Sequence, residues 1–112
     1  MGERLKPALE KERYQVETFV DPNKALARIG DKEFDIVVTD IRMDEMDGIE
    51  VLEKVMARSE RTKVIMITGY ATIEVARESL TKGAFDFIAK PFKLKEIRSA
   101  INKAAEALQS GA

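Results

Sequence analysis

Short apolar runs alternate along the chain with longer segments whose apolar residues recur every three or four positions. This is the pattern of a parallel sheet covered by helices on both faces. Gln15 to Val20 mixes Val16, Phe19 and Val20 with Glu17 and Thr18 and reads as an outer strand. Asp21 and Pro22 then supply a helix cap and first helical position, and Ala25, Leu26 and Ile29 form a stripe that Gly30 ends. Phe34 to Thr39 is almost continuously apolar, as a strand buried on both faces requires, and stops at Asp40. A helix from Gly48 carries Ile49, Val51, Leu52 and Val55 toward the sheet. Val64 to Ile67 is the next strand, ending at Thr68 and Gly69, and Ile73, Val75, Ala76 and Leu80 stripe the helix that runs to Gly83. Phe85 to Ala89 stops at Lys90 and Pro91, and Leu94 to Leu108 is a helix with Ile97, Ile101, Ala104, Ala105 and Leu108 on one face. Ahead of all these, Glu3 to Glu12 has Leu5 and Leu9 at helical spacing, with Pro7 expected in the first turn. The expected count is four strands and five helices, beginning in the middle of a strand-helix unit.

Length and composition narrow the chemistry. The 112 residues suit a single domain spanning residues 1–112. Balanced charge, 19 Lys and Arg against 20 Asp and Glu, creates no field for a nucleic acid backbone or an anionic membrane, so neither is an expected direct partner. Lys93, Lys95 and Arg98 make only a modest basic stretch in the last helix. No apolar run approaches the roughly 18 residues of a membrane span, and a soluble, cytoplasmic chain is expected. With no Cys and no His, thiolate, imidazole and zinc-finger chemistry are excluded.

What remains is carboxylate, hydroxyl, amine and backbone chemistry, and the strand ends collect it. In an open parallel sheet, ligands bind at the carboxyl ends of the strands. The three buried runs finish on Asp40, Thr68 and Lys90. A carboxylate oxygen can attack phosphorus, while an ammonium and a hydroxyl compensate charge on the phosphoryl oxygens. Singly, each residue has an ordinary reading as a turn former, cap or solvated strand end; together they make the parts for phosphoryl transfer to Asp40.

Three motifs give these residues a family likeness. Val37 to Met43 running on to Met46-Asp47-Gly48, Ile67 to Ala71, and Gly83 to Phe92 together resemble the receiver domain of bacterial two-component response regulators. The wording is most similar to receivers of activators that work with the sigma-54 polymerase. The resemblance implies a flavodoxin-like, doubly wound parallel sheet, and a phosphoacceptor regulatory domain rather than an enzyme. It also implies that Asp40 is the phosphoacceptor, Thr68 the switch hydroxyl, Lys90 the phosphoryl-binding amine and Phe87 the switch aromatic, with a core aromatic as the plainer role for Phe87. Mg²⁺ would be held by Asp40 and the backbone carbonyl of Arg42, Lys90-Pro91 would be cis, and the partner would be a histidine kinase.

The departures shape the expectations. Family receivers begin with a hydrophobic strand ending in an acidic pair that helps hold Mg²⁺, and neither is found here. The chain is therefore expected to be a receiver incomplete at its N-terminus, with weak or absent Mg²⁺ binding and slow or undetectable phosphorylation. The absent strand would lie between Gln15 to Val20 and Phe34 to Thr39. Either those two pair directly, or one chain fills the gap in another, giving a homo-oligomer or strand-exchanged dimer. Asp44 stands where the family commonly has Pro and reads as a solvated loop residue, and the cluster Asp44, Glu45, Asp47, Gly48 lacks the spacing of a calcium loop. A phosphorylation-independent interaction module and a fragment of a larger transcriptional regulator are the alternatives. An aspartyl-phosphate hydrolase is disfavoured because Arg42 occupies the usual position of the second Asp.

Overall fold

The computed structural model describes residues 2–12, 14–17, 22–40, 48–68 and 73–109. Along the chain these form α1 (Gly2–Lys11), α2 (Pro22–Asp31), β1 (Ile36–Asp40), α3 (Gly48–Arg58), β2 (Lys63–Thr68), α4 (Ile73–Thr81), β3 (Asp86–Ala89) and α5 (Leu94–Gln109). The strands lie in the order β1-β2-β3, all parallel. Strand succeeds strand through a helix, as parallel pairing demands.

Two apolar clusters sandwich the sheet. On one face Ile65, Ile67 and Ile88 meet Leu9 of α1 and Ile97, Ala100, Ile101 and Ala104 of α5, with Tyr14, Val16, Ile36 and Val38 packed alongside. On the other, Val64 and Met66 meet Val51, Leu52 and Val55 of α3, flanked by Leu26 and Ile29 of α2 and by Val37. Neighbouring residues of β2 thus enter opposite clusters, the two-residue alternation of a strand, yet both sets are apolar because both faces are roofed.

Local signals stop the elements where they do. Gly83, at φ 107°, ends α4: its N–H donates to the Leu80 carbonyl at 3.1 Å and the Ala84 N–H to the Ser79 carbonyl at 3.0 Å, the paired closure of a left-handed C-terminal cap. A Cβ there would also stand 3.3 Å from Met56. At the start of α5, the Glu96 carboxylate accepts from the Lys93 N–H at 3.0 Å, supplying a partner to a helix-end donor.

Several expectations are corrected. The strand expected at Gln15 to Val20 is not formed by Gln15, Val16 and Glu17, and Thr18 to Val20 lie outside the described residues, so three strands rather than four are found among the described residues. Direct pairing of that run with β1 is likewise not found there; β1 pairs with β2. With no described strand beyond β1, Ile36 to Thr39 are half-buried rather than buried. Pro7 lies inside α1 rather than in its first turn, because the helix already begins at Gly2. Leu80 is 52% exposed while Ser79 is fully buried: adjacent helical residues point about 100° apart, so only one of the two can face the sheet. The side chains of Ile49, Ile73, Val75 and Ala76 lie outside those described.

Candidate functional site at the carboxyl edge of the sheet

Ladder register brings the three candidate residues together. Asp40, the last residue of β1, is paired with Ile67, the penultimate residue of β2. Thr68, which ends β2, is paired with Ala89, and Lys90 follows directly. Residues far apart in sequence therefore share one sheet edge, that of the strands' carboxyl ends, and parallel pairing is the reason. The Lys90-Pro91 peptide is cis, as expected. Lys90 is exposed; the side chains of Asp40 and Thr68 lie outside those described.

Phe87 is half-buried and packs with the α3-side cluster of Val51, Leu52 and Val55. Its neighbour beyond the site, Phe92, packs against the opposite cluster. The two aromatics thus bracket Lys90 while belonging to different faces of the sheet. Arg42, Asp44, Glu45 and Asp47 fall in 41–47, and Gly69 to Ala71 in 69–72, outside the described residues. Gly48 opens α3.

Mg²⁺ prefers six oxygen ligands in near-octahedral array. Among the described residues no group of three or more acidic side chains gathers that could hold a metal ion. Among the described strands only β1 ends on an acidic residue, Asp40.

A polar group that sequence reasoning missed lies away from this edge. Arg98 Nε donates to Glu12 Oε2 at 2.9 Å, Tyr14 OH to Asn102 Oδ1 at 2.7 Å, and Asn102 Nδ2 to Glu12 Oε1 at 3.4 Å. The Arg98 hydrogen bond holds the Glu12 carboxyl below its usual range, against a smaller desolvation effect. Burial, with the charges of Glu12 and Glu106, pushes the Tyr14 hydroxyl up. These bonds tie the end of α1 to α5. A short hop further along, Arg28 Nε of α2 donates to Glu17 Oε1 at 2.8 Å. No local pattern announces such pairs, because the first three join residues 86 to 90 positions apart.

Comparison with known proteins places this arrangement. The family described as the response regulator receiver domain matches residues 1–102. Regulatory protein AtoC of Escherichia coli (strain K12) is 45% identical over 86 residues, 77% of this chain and 18% of that protein. The chain thus spans about a fifth of the length of this curated relative. The crystal structure of a CheY-like receiver domain protein from Methanospirillum hungatei JF-1 is similar at a TM-score of 0.90 and 32% identity, covering 98% of this chain and 88% of that one. The solution structure of the beryllofluoride-activated NtrC4 receiver domain dimer is similar at 0.86 and 29%, covering 95% and 88%.

Proposed function

This chain belongs to the response regulator receiver domain family, and on that premise we propose that residues 1–112 act as one signalling receiver that takes a phosphoryl group on Asp40. The donor would be a phosphorylated histidine kinase. A carboxylate oxygen of Asp40 forms the new O–P bond as the bond from phosphorus to the donor breaks, leaving an aspartyl phosphate. Lys90 and Thr68 offset charge on the phosphoryl oxygens, and Thr68 and Phe87 pass the change to the protein surface. What supports the reading is the ladder register that aligns Asp40, Thr68 and Lys90 at one edge.

Phosphorylation is proposed to be slow. Mg²⁺, when bound, would neutralise phosphoryl charge; with Asp40 and the Arg42 carbonyl as its proposed protein ligands, binding is weak. Without that ion, Lys90 alone opposes the repulsion between Asp40 and the incoming group. Incubation with a small-molecule phosphodonor and Mg²⁺, followed by intact-mass spectrometry, tests this. A slowly accumulating phosphate adduct is expected, absent from Asp40→Asn. No adduct at any time would remove the phosphoacceptor reading and leave a phosphorylation-independent interaction module, the second reading.

The setting follows from the same premise. The likeness of its motifs to receivers of sigma-54 activators supports a role within a transcriptional regulator whose DNA contacts come from another domain. A cytoplasmic location fits a histidine kinase partner; among the described residues no helix is long and apolar enough to cross a membrane. The NtrC4 receiver being a dimer supports self-association here, which a light-scattering mass of one chain at working concentration would exclude.

A further inference from the structure

Lys90 follows the last residue of β3, and only Pro91, Phe92 and Lys93 separate it from the start of α5 at Leu94. Both ends of this linker are anchored. At one end Ala89 of β3 is paired with Thr68. At the other, the Glu96 carboxylate accepts from the Lys93 N–H at 3.0 Å, and the Glu96 N–H donates to the Lys93 carbonyl at 2.9 Å. Between the two, Phe92 is half-buried against the cluster that holds Ile97, Ala100 and Ile101.

The bond from the Lys93 N–H is one half of a capping box. In the full box the capping residue is Ser or Thr, whose hydroxyl returns a bond to the N–H three residues on; Lys93 has no side-chain acceptor to do so. Within this box the side-chain part is therefore supplied by Glu96 alone. The helix that carries Glu96 is itself fixed on the core, since Ile97 is 1% exposed and Ala100 and Ile101 of the next turn are buried. The Glu96 side chain is exposed, so a substitution there removes the bond while disturbing little packing.

We infer that Glu96 is a positioning residue for phosphoryl transfer: by tying the Lys93 N–H to α5 it sets where the linker, and with it the Lys90 ammonium, stands relative to Asp40. The inference rests on the reading of Asp40 as phosphoacceptor and of Lys90 as the amine that offsets phosphoryl charge. A lysine ammonium rides on a flexible four-carbon stem, so its reach is decided by where its backbone is held. Its attraction to a phosphoryl oxygen falls with distance, and a misplacement of about 1 Å can cost up to about 10²-fold in rate. Phe92 fixes the middle of the linker and Glu96 fixes its end.

The test follows the rate of adduct formation on the full chain by intact-mass spectrometry, with acetyl phosphate and Mg²⁺; a carboxylate oxygen of Asp40 bonds to phosphorus as acetate leaves. Glu96→Ala is expected to slow the adduct by about tenfold. Glu96→Gln, whose amide oxygen accepts the same bond without the charge, is expected to stay within about twofold of the parent rate. Placed on Lys90→Ala, which is itself slow, Glu96→Ala should have no further effect, because two residues that act on one interaction do not add. Lys93→Ser combined with Glu96→Ala supplies an ordinary helix cap and should recover thermal stability without recovering the rate; this pair also serves if Glu96→Ala alone does not fold. The inference is overturned if Glu96→Ala keeps the parent rate, if Glu96→Gln is as slow as Glu96→Ala, if the losses add on Lys90→Ala, or if Lys93→Ser restores the rate. No adduct in the parent chain is a different failure: it removes the phosphoacceptor reading, and this inference with it.

Discussion

β1 and β2 are near twins as sequences and opposites as structures. Ile36-Val37-Val38-Thr39-Asp40 and Lys63-Val64-Ile65-Met66-Ile67-Thr68 are both short aliphatic strands that end on a residue of the candidate site. Val64, Ile65, Met66 and Ile67 are no more than 1% exposed, whereas Ile36, Val37, Val38 and Thr39 are all half-buried. Helices roof both strands, so the faces do not make the difference. A neighbour on each side does, because β2 lies between β1 and β3 while no described strand lies beyond β1. Burial in a sheet is therefore a property of position in the strand order more than of composition.

Substitutions can break that comparison. Ile65→Ala empties a fully enclosed site and should cost about 2–5 kcal/mol in urea unfolding. Val38→Ala, at the open edge, should cost about 1 kcal/mol by the same measurement, since part of its surface is already wet. Equal losses at the two positions would mean that β1 is covered after all.

The smallest effect concerns the polar ties beside the edge strand. Glu12 has its pKa lowered in the folded state, so its contribution is present above the unfolded value near 4.5 and is lost as pH falls through the lower folded one. Glu12→Gln should lower the plateau near neutrality slightly and flatten the acid limb of a stability-against-pH curve, with stability below the folded pKa of Glu12 unchanged. A change confined to alkaline pH would show that the carboxylate is not the group involved.

Much of this was legible in the chain. Alternation of apolar runs with helical stripes is sufficient for a doubly wound parallel sheet, and once the strands are parallel their carboxyl ends must share an edge, so Asp40, Thr68 and Lys90 are brought together by topology alone. Their side-chain roles are carried by the family resemblance and await the adduct experiment. Other features were not legible, for physical reasons. Gln15 to Glu17 has strand-like residues but no strand among the described residues beside it, and propensity cannot supply a partner. Ser79 displaces Leu80 from the interior because helix rotation, not side-chain polarity, decides which of two neighbours faces the sheet. Tyr14 and Asn102 lie 88 positions apart, so no local pattern pairs them.

That last contact bears on the order of events in folding. Bonds from Glu12 and Tyr14 to Arg98 and Asn102 close loops of 86 to 90 residues, while the β1–β2 and β2–β3 ladders close far shorter ones. Closure entropy rises with loop length, and contacts between distant residues slow the search. The sheet and the helices within its crossovers have the shorter search, and the clasp between α1 and α5 then forms late, as a lock on a structure already assembled. Mutations in the clasp should accordingly hasten unfolding and leave the refolding rate nearly unchanged.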